Sequence, residues 1–207
     1  MKRIDNLSYI ADCLQSDNQT IHHAVHLMDI YSSKMPKEKQ EYDTILISLV
    51  CLLISTKYLQ IKYPGAEALN DMVQRRYSAD YIIAMEGKVL DIIDWNLMVF
   101  PVYDYVKIFI SQGCLFENEE ILRNAKDHQH RDKPTCQLAS HFKKYAEFFA
   151  DFCLYQECLM TVNPYFLACA IVAYTRKYMG VAIIWSHEME LLTKCQFTNI
   201  KDLYDLI

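Results

Sequence analysis

Three histidines lie together in the segment HHAVH, which comprises His22, His23 and His26 at its histidine positions. On a helix, His22 and His26 are one turn apart, so their imidazoles could share a metal ion. The HExxH motif of zinc hydrolases has a glutamate after its first histidine as the general base, and here that position holds His23. A third ligand is not found nearby in the sequence. We therefore expect partly buried helix histidines, with no metal ion and no other cofactor. This interpretation is favoured over a metallohydrolase.

Other reactive side chains form no recognisable catalytic pattern. His128 and His130 lie in a polar stretch, where histidines are more often solvated than metal-bound. The 8 cysteines include no CxxC pair, and Cys51 and Cys169 fall inside apolar runs, so we interpret them as reduced, mostly buried thiols of an intracellular protein. The sequence also lacks a glycine-rich phosphate loop and a GxSxG motif. These observations predict that the protein is not an enzyme.

Lys57 and Glu86 are charged residues at the edges of apolar segments. Lys57 follows an apolar run after only Ser55 and Thr56, and Glu86 has the apolar neighbours Met85 and Val89 on its predicted helix. Because a buried charge without a partner is costly, each of these side chains needs a partner or water. Spacing alone leaves two interpretations open, namely a structural or solvated pair and a pair that binds another protein.

The element that must position Lys57 is the apolar run ILISLVCLLI at residues 45–54, which only Ser48 interrupts. A helix that is apolar on every side must be surrounded by other elements, so the run predicts a buried central helix. A buried strand is the alternative, but helix-compatible sequence extends over 41–60, longer than a typical strand. A membrane span needs about 20 apolar residues, and Asp43 and Lys57 close the run too early.

The fold class predicted from composition is all-α. With 4 glycines and 5 prolines in 207 residues, the chain has too little turn chemistry for an all-β protein. Apolar periodicity and capping residues, including a capping box of Ser16 and Gln19, predict helices over 2–14, 17–33, 41–60, 66–75, 78–95, 101–111, 136–156, 163–178, 186–195 and 199–207. The run from Phe166 to Ala173 is again apolar on nearly every side. We therefore predict two five-helix repeats, residues 1–98 and 99–207, the second with a polar loop at 113–135.

The charge and the N-terminal sequence bound the partners and the compartment. A formal net charge of −5 gives no general attraction to nucleic acid or to an acidic membrane surface, so we expect neither as a partner. The segment MKRIDNLSYIADCL has no apolar core of a signal peptide. We expect an intracellular protein, nuclear or cytoplasmic.

Several segments, in this order, resemble the cyclin family. TIHHAVHLMDIYSS, with Asp29, is similar to the family's second helix, and CLLISTKY resembles the end of its central helix. The tripeptide YPG stands where the family has Tyr-Pro-Pro, and MEGKVLDIIDWNL resembles the fifth helix. In the second half, Trp185 followed by Leu192 and Thr193 resembles the fourth helix of the second repeat. The resemblance implies tandem cyclin boxes, each around a buried central helix.

The resemblance also implies a binding role for particular residues. In cyclins, a lysine and a glutamate at the positions of Lys57 and Glu86 bind backbone groups of the kinase segment that follows its regulatory helix, while apolar side chains grip that helix. Carried over residue by residue, the expected kinase-binding set is Lys57, Tyr58, Glu86, Leu90, Trp95 and Leu97. The expected function is a regulatory subunit that binds and activates a cyclin-dependent protein kinase.

The sequence departs from the family pattern at several positions. Ile30 replaces the arginine after the family's aspartate, and Leu59 and Gln60 replace an acidic pair. The first helix lacks the Met-Arg-Ala-Ile-Leu docking patch, and Glu41 replaces a basic residue of that groove. These departures indicate a divergent or minimal cyclin. They also support an alternative, a cyclin-fold adaptor or structural component of a larger assembly that does not activate a kinase.

Overall fold

A computed structural model describes residues 10, 16–35, 43–116, 119–121 and 135–207. The chain divides into two compact units, residues 1–101 and 102–207. Within the described ranges there are nine α-helices, two short 3-10 helices and no strand, apart from one isolated antiparallel bridge between Ile121 and Val181. This architecture confirms the all-α prediction. Among the helices of these ranges, none has the length and apolar character that a membrane span requires.

The helices of the first unit are α1 (Asn18–Lys34), α2 (Thr44–Leu59), α3 (Ala66–Met72) and α4 (Ala79–Ile92). Those of the second unit are α5 (Val102–Gln112), α6 (Thr135–Leu154), α7 (Pro164–Tyr178), α8 (His187–Thr193) and α9 (Lys201–Leu206). The 3-10 helices are Glu157–Leu159, before α7, and Phe197–Asn199, before α9.

The centre of the first unit is α2, as the apolar run predicts. Every residue from Leu46 to Thr56 is buried, and α1 and α4 pack against the helix. Asp43 is its N-cap and accepts a hydrogen bond from the backbone N–H of Ile45. The buried part of α2 ends just before Lys57, so the first residue beyond the core is the lysine that the sequence singled out.

The centre of the second unit is α7, which confirms the second predicted core helix. Its residues from Leu167 to Ala173 are buried, and α5, α6 and α9 pack around it. Asn163 caps the helix by accepting a hydrogen bond from the N–H of Tyr165, and Pro164 occupies the first turn, where a missing N–H costs nothing.

Several predicted helix ends are wrong. The N-cap of α1 is Asp17, not Ser16, because the Asp17 carboxylate accepts hydrogen bonds from both the backbone N–H and the hydroxyl of Thr20. Helix α3 ends at Met72 rather than at 75, and Gln74 and Arg75 have positive φ angles. The C-terminal segment starts with a 3-10 turn, and helix α9 begins only at Lys201.

Helix α4 ends three positions before the predicted end at Trp95. After Ile92 the chain turns out of the helix, and Asp94 and Trp95 both have a φ of 56°. The N–H of Trp95 donates to the carbonyl of Leu90, which closes the end of the helix. The predicted helix over 2–14 falls outside the described residues except for Ile10, which is buried, as does most of the predicted loop at 113–135.

Candidate protein-binding site

Lys57 and Glu86 form an ion pair on the first unit, although they are 29 residues apart in sequence. The Lys57 Nζ donates to both carboxylate oxygens of Glu86, at 2.7 Å and 2.8 Å. The side chains of Lys57 and Glu86 are 37% and 13% exposed, so the pair lies at the surface with the carboxylate partly covered. The structure thus brings together the two charged residues that the sequence singled out.

The fold accounts for this distance. Lys57 is in the last turn of α2, where a cation also interacts favourably with the helix dipole. Glu86 is on α4, which packs against α2 through its buried residues, Ile82, Met85 and Val89 among them. Since Glu86 follows Met85 directly, its side chain lies at the edge of the packed face. Lys57, just after the buried part of α2, and Glu86, beside the packed face of α4, therefore come together.

Tyr58 and Leu97 are joined through a third residue, His23 on α1. The rings of His23 and Tyr58 stack with centroids 5.4 Å apart and an interplanar angle of 22°. The Nε2 of His23 lies 3.0 Å from the carbonyl oxygen of Leu97, and its Nδ1 lies 2.8 Å from the hydroxyl of Ser55. The structure therefore connects the end of α2 to the segment that follows α4.

The apolar residues predicted for the site differ in exposure. Tyr58 is 47% exposed and Trp95 is 64% exposed, and Leu97 is half-buried. Leu90 is 8% exposed and thus buried in the free chain, and its place in the expected kinase-binding set stays a prediction. It lies on the inner face of α4 with Val89, because this stretch of the helix turns both residues toward the core. Trp95 is held by its indole N–H, which donates to Asp91.

The structure does not assemble the histidines of HHAVH into a metal centre. His22 and His23 are buried, and His23 uses both ring nitrogens in the contacts to Ser55 and Leu97. Burial, with the nearby His23 as a smaller cause, lowers the pKa of His26 below its usual value of 6.5. Across the described parts of the chain, no three His, Cys, Asp or Glu side chains are grouped so that they could hold a metal ion. His128 and His130 lie outside those parts.

The thiols of the core have properties of structural cysteines. Burial raises the pKa of Cys114 and of Cys153 to about 12, and it raises the pKa of Cys51 and Cys169 further in the same direction. Since the thiolate is the nucleophile, such thiols are unreactive at neutral pH. Cys158 is the exposed thiol among the free cysteines of the described residues.

We call Lys57, Tyr58, Glu86, Trp95 and Leu97 the Lys57 surface. Lys57 contacts Glu86, and Tyr58 and Leu97 share the contact with His23, whereas the place of Trp95 in the site stays a prediction. Sequence reasoning singled out these five residues as a prediction but missed His23, the neighbour of Tyr58 and Leu97. Its contact with Leu97 spans 74 residues, so periodicity and spacing give no signal for it. Only the alignment of α1 beside α2 would suggest that a histidine of HHAVH could reach the end of α2.

Comparison with known proteins gives the family of this half of the chain. Residues 2–98 match the family described as Cyclin, N-terminal domain. Over 102 residues the chain is 31% identical to Cyclin-B1-1 of Arabidopsis thaliana, an alignment that covers 49% of this chain. The chain spans only 23% of the length of that relative.

Solved structures give the fold of the whole chain. A viral cyclin from herpesvirus saimiri matches with a TM-score of 0.70 at 15% identity, over 98% of this chain and 82% of the viral one. A chain of the CAK complex from Chaetomium thermophilum, bound to ATP-gamma-S, matches with a TM-score of 0.67 at 13% identity. That match covers 99% of this chain and 60% of the other.

Proposed function

Because the chain belongs to the cyclin family, we propose that it is a regulatory subunit that binds a cyclin-dependent protein kinase and activates it. The observation that carries this proposal is the Lys57–Glu86 pair, 2.7 Å apart on the surface of the first unit with Tyr58 exposed beside it. The match of residues 2–98 to the cyclin N-terminal domain supports the same residue roles. The similarity to a chain of the CAK complex supports a kinase as the kind of partner. The chain itself carries out no catalysis in this proposal, and it acts inside the cell, in the nucleus or the cytoplasm.

The chemistry of the pair suits a loop of a partner protein. An ammonium group offers three donors, and Glu86 occupies at most two of its sites in the free protein. The lysine can therefore donate to a backbone carbonyl of the partner, while the carboxylate accepts from a backbone N–H. Each charged hydrogen bond of this kind contributes about 1.5–3 kcal/mol. Exposed Tyr58 and Trp95 provide the large aromatic area that is typical of binding hot spots.

Activation follows from selective binding. A surface that fits the kinase only when its regulatory helix is in the active position shifts the kinase toward that state by the difference between the two binding free energies. Binding to both states with equal affinity would shift nothing. The proposal therefore requires the Lys57 surface to contact the regulatory helix and the segment after it, because these parts differ between the two states.

One observation favours the alternative, an adaptor of the cyclin fold that does not activate a kinase. The family's acidic pair is replaced by Leu59 and Gln60, and the Gln60 amide donates to the hydroxyl of Thr20 at 3.1 Å, within the first unit. This position therefore presents no carboxylate to a partner. An adaptor would bind its partner without raising kinase activity.

The deciding experiment measures binding and stability on the same variants. We expect Lys57→Ala to weaken binding to a purified cyclin-dependent kinase by about 2–4 kcal/mol, because the partner's polar groups lose a charged hydrogen bond. Thermal stability should change little, since exposed ion pairs contribute about 0–1 kcal/mol. Binding is measured by interferometry against a panel of purified kinases, and stability by thermal unfolding.

Arg75→Ala provides the matched control, because Arg75 forms a more exposed ion pair with Asp71 in the same unit, at 2.7 Å. It should affect neither binding nor stability strongly. Full affinity of the Lys57→Ala/Glu86→Ala double variant would overturn the proposed use of this pair. Full binding by the wild type without stimulation of peptide phosphorylation would instead favour the adaptor.

A further inference from the structure

His23 is the residue through which the two arms of the Lys57 surface are connected. Its side chain, on α1, is 2% exposed and lies between the end of α2 and the segment after α4. It bonds Ser55 in the last buried turn of α2, stacks on Tyr58, and reaches the carbonyl of Leu97. Two members of the Lys57 surface, Tyr58 and Leu97, thus contact the same imidazole.

The partners of His23 fix the position of its proton. A backbone carbonyl can only accept a hydrogen bond, so Nε2 must carry the proton that is donated to Leu97, at 3.0 Å. In the neutral ring, Nδ1 is then an acceptor, and the hydroxyl of Ser55 donates to it at 2.8 Å. Both ring nitrogens are used, and the ring plane is held by the stack on Tyr58. The orientation of His23 is therefore determined on three sides.

The Leu97 arm needs such an anchor because it has little regular structure of its own. After the left-handed residues Asp94 and Trp95, residues 96–100 form no helix or strand. The backbone bonds in this arm are short-range: the N–H of Leu97 donates to Trp95, and the N–H of Val99 donates to Leu97. The His23 contact is a side-chain hydrogen bond that links this arm to α1.

We propose that His23 is a positioning residue of the Lys57 surface, which holds the Leu97 arm and the Tyr58 ring in the arrangement that a partner protein binds. This role rests on the proposed binding function, but the positioning itself is a property of the free chain. In this role His23 acts through two hydrogen bonds and one ring stack, and it does not act as a metal ligand.

The test compares two substitutions of His23. His23→Leu fills similar space but removes both hydrogen bonds, whereas His23→Gln places an amide N–H near the position of Nε2 and can still donate to Leu97. In the free full-length chain, we expect His23→Leu to raise hydrogen exchange of the amides at 96–100 by about fivefold to tenfold, the factor expected when one hydrogen bond is lost. Affinity for the purified kinase should fall by about tenfold. His23→Gln should restore slow exchange and most of the affinity.

Val106→Ala is the control for lost stability, because Val106 is fully buried in the core of the second unit, whereas the Lys57 surface belongs to the first unit. Equal losses of affinity in this control and in His23→Leu would overturn the positioning role. So would unchanged exchange at 96–100 in a folded His23→Leu variant. Absence of kinase binding by the wild type would overturn the proposed function, while the exchange measurement would still decide the role of His23.

Discussion

At the scale of single residues, Arg176 is a fully buried charge that contacts loops through several hydrogen bonds. Its Nε donates to the carbonyl of Ile184 at 2.7 Å, and its Nη2 donates to that of Ile183 at 3.0 Å. The guanidinium also binds the carbonyl of Cys114 and both carboxylate oxygens of Glu119. Glu119 in turn accepts from the N–H of Phe116. One side chain of the central helix α7 therefore ties down two loops of the second unit.

We predict that Arg176→Met destabilises the protein by about 3–5 kcal/mol, because Glu119 and the loop carbonyls lose their buried donor. The measurement is the free energy of unfolding in urea. The double variant Arg176→Met/Glu119→Gln should recover part of the loss, since the second change removes the unpaired charge. A loss below about 1 kcal/mol for Arg176→Met would show that the two loops do not depend on the buried pair.

His26 makes stability depend on pH. Burial lowers its pKa in the folded state below 6.5, so the unfolded chain binds the proton more readily. The contribution of His26 to stability is therefore fully present above its unfolded pKa and is lost as the pH falls below about 6.5. We predict a smaller loss between pH 7.5 and pH 5 in His26→Gln than in the wild type, measured by urea unfolding. An equal loss in both proteins would assign the effect to other groups.

At the scale of elements, the start of α1 shows how a capping residue determines where a helix begins. Asp17 accepts from the Thr20 N–H at 2.8 Å and from the Thr20 hydroxyl at 2.6 Å, while the Ser16 hydroxyl has no hydrogen-bond partner. We predict that Asp17→Ala destabilises the protein by about 1 kcal/mol and that Ser16→Ala changes stability by less than about 0.5 kcal/mol. Thermal unfolding of both variants provides the comparison. A larger loss of stability in Ser16→Ala than in Asp17→Ala would instead support the capping box of Ser16 and Gln19.

Helix interiors could be predicted from the sequence more reliably than helix ends. The runs at the centres of α2 and α7 are local signals, because an all-apolar helix has to be buried wherever it lies. The end of α4 is not local in this sense. Ile93 continues the apolar pattern, but the N–H groups of Asp94 and Trp95 turn back to Asp91 and Leu90 and end the helix. Leu90, on the inner face of α4, is buried, whereas Trp95, in the turn after the helix, is exposed.

The candidate site was partly predictable for a related reason. Lys57 and Glu86 lie at the edges of two helices that must pack together, so their proximity follows from the fold. The contacts of His23 depend on where the irregular residues 96–100 pass, which no periodicity encodes. The bond between Arg176 and Glu119 is similarly invisible in the sequence, because it joins a core helix to a loop 57 residues away.

At the scale of the whole molecule, the two units each have a core of their own. Leu52 is fully buried in α2 of the first unit, and Ile171 is fully buried in α7 of the second, within a cluster of buried residues between 103 and 204. This division is consistent with two repeats that meet near residue 100, a boundary that we propose from the sequence at 98 and 99. Two separate cores imply that damage to one can be measured apart from the other.

We predict that Leu52→Ala and Ile171→Ala each destabilise the unit that contains them by about 2–5 kcal/mol, because each leaves a cavity in a packed helix. Native-state hydrogen exchange provides the measurement, since it reports local opening residue by residue. Leu52→Ala should speed exchange in α1, α2 and α4, and Ile171→Ala should do so in α5, α6 and α7. If either variant sped exchange equally in both units, the chain would unfold as one cooperative body, and the proposed division into two repeats would have no energetic counterpart.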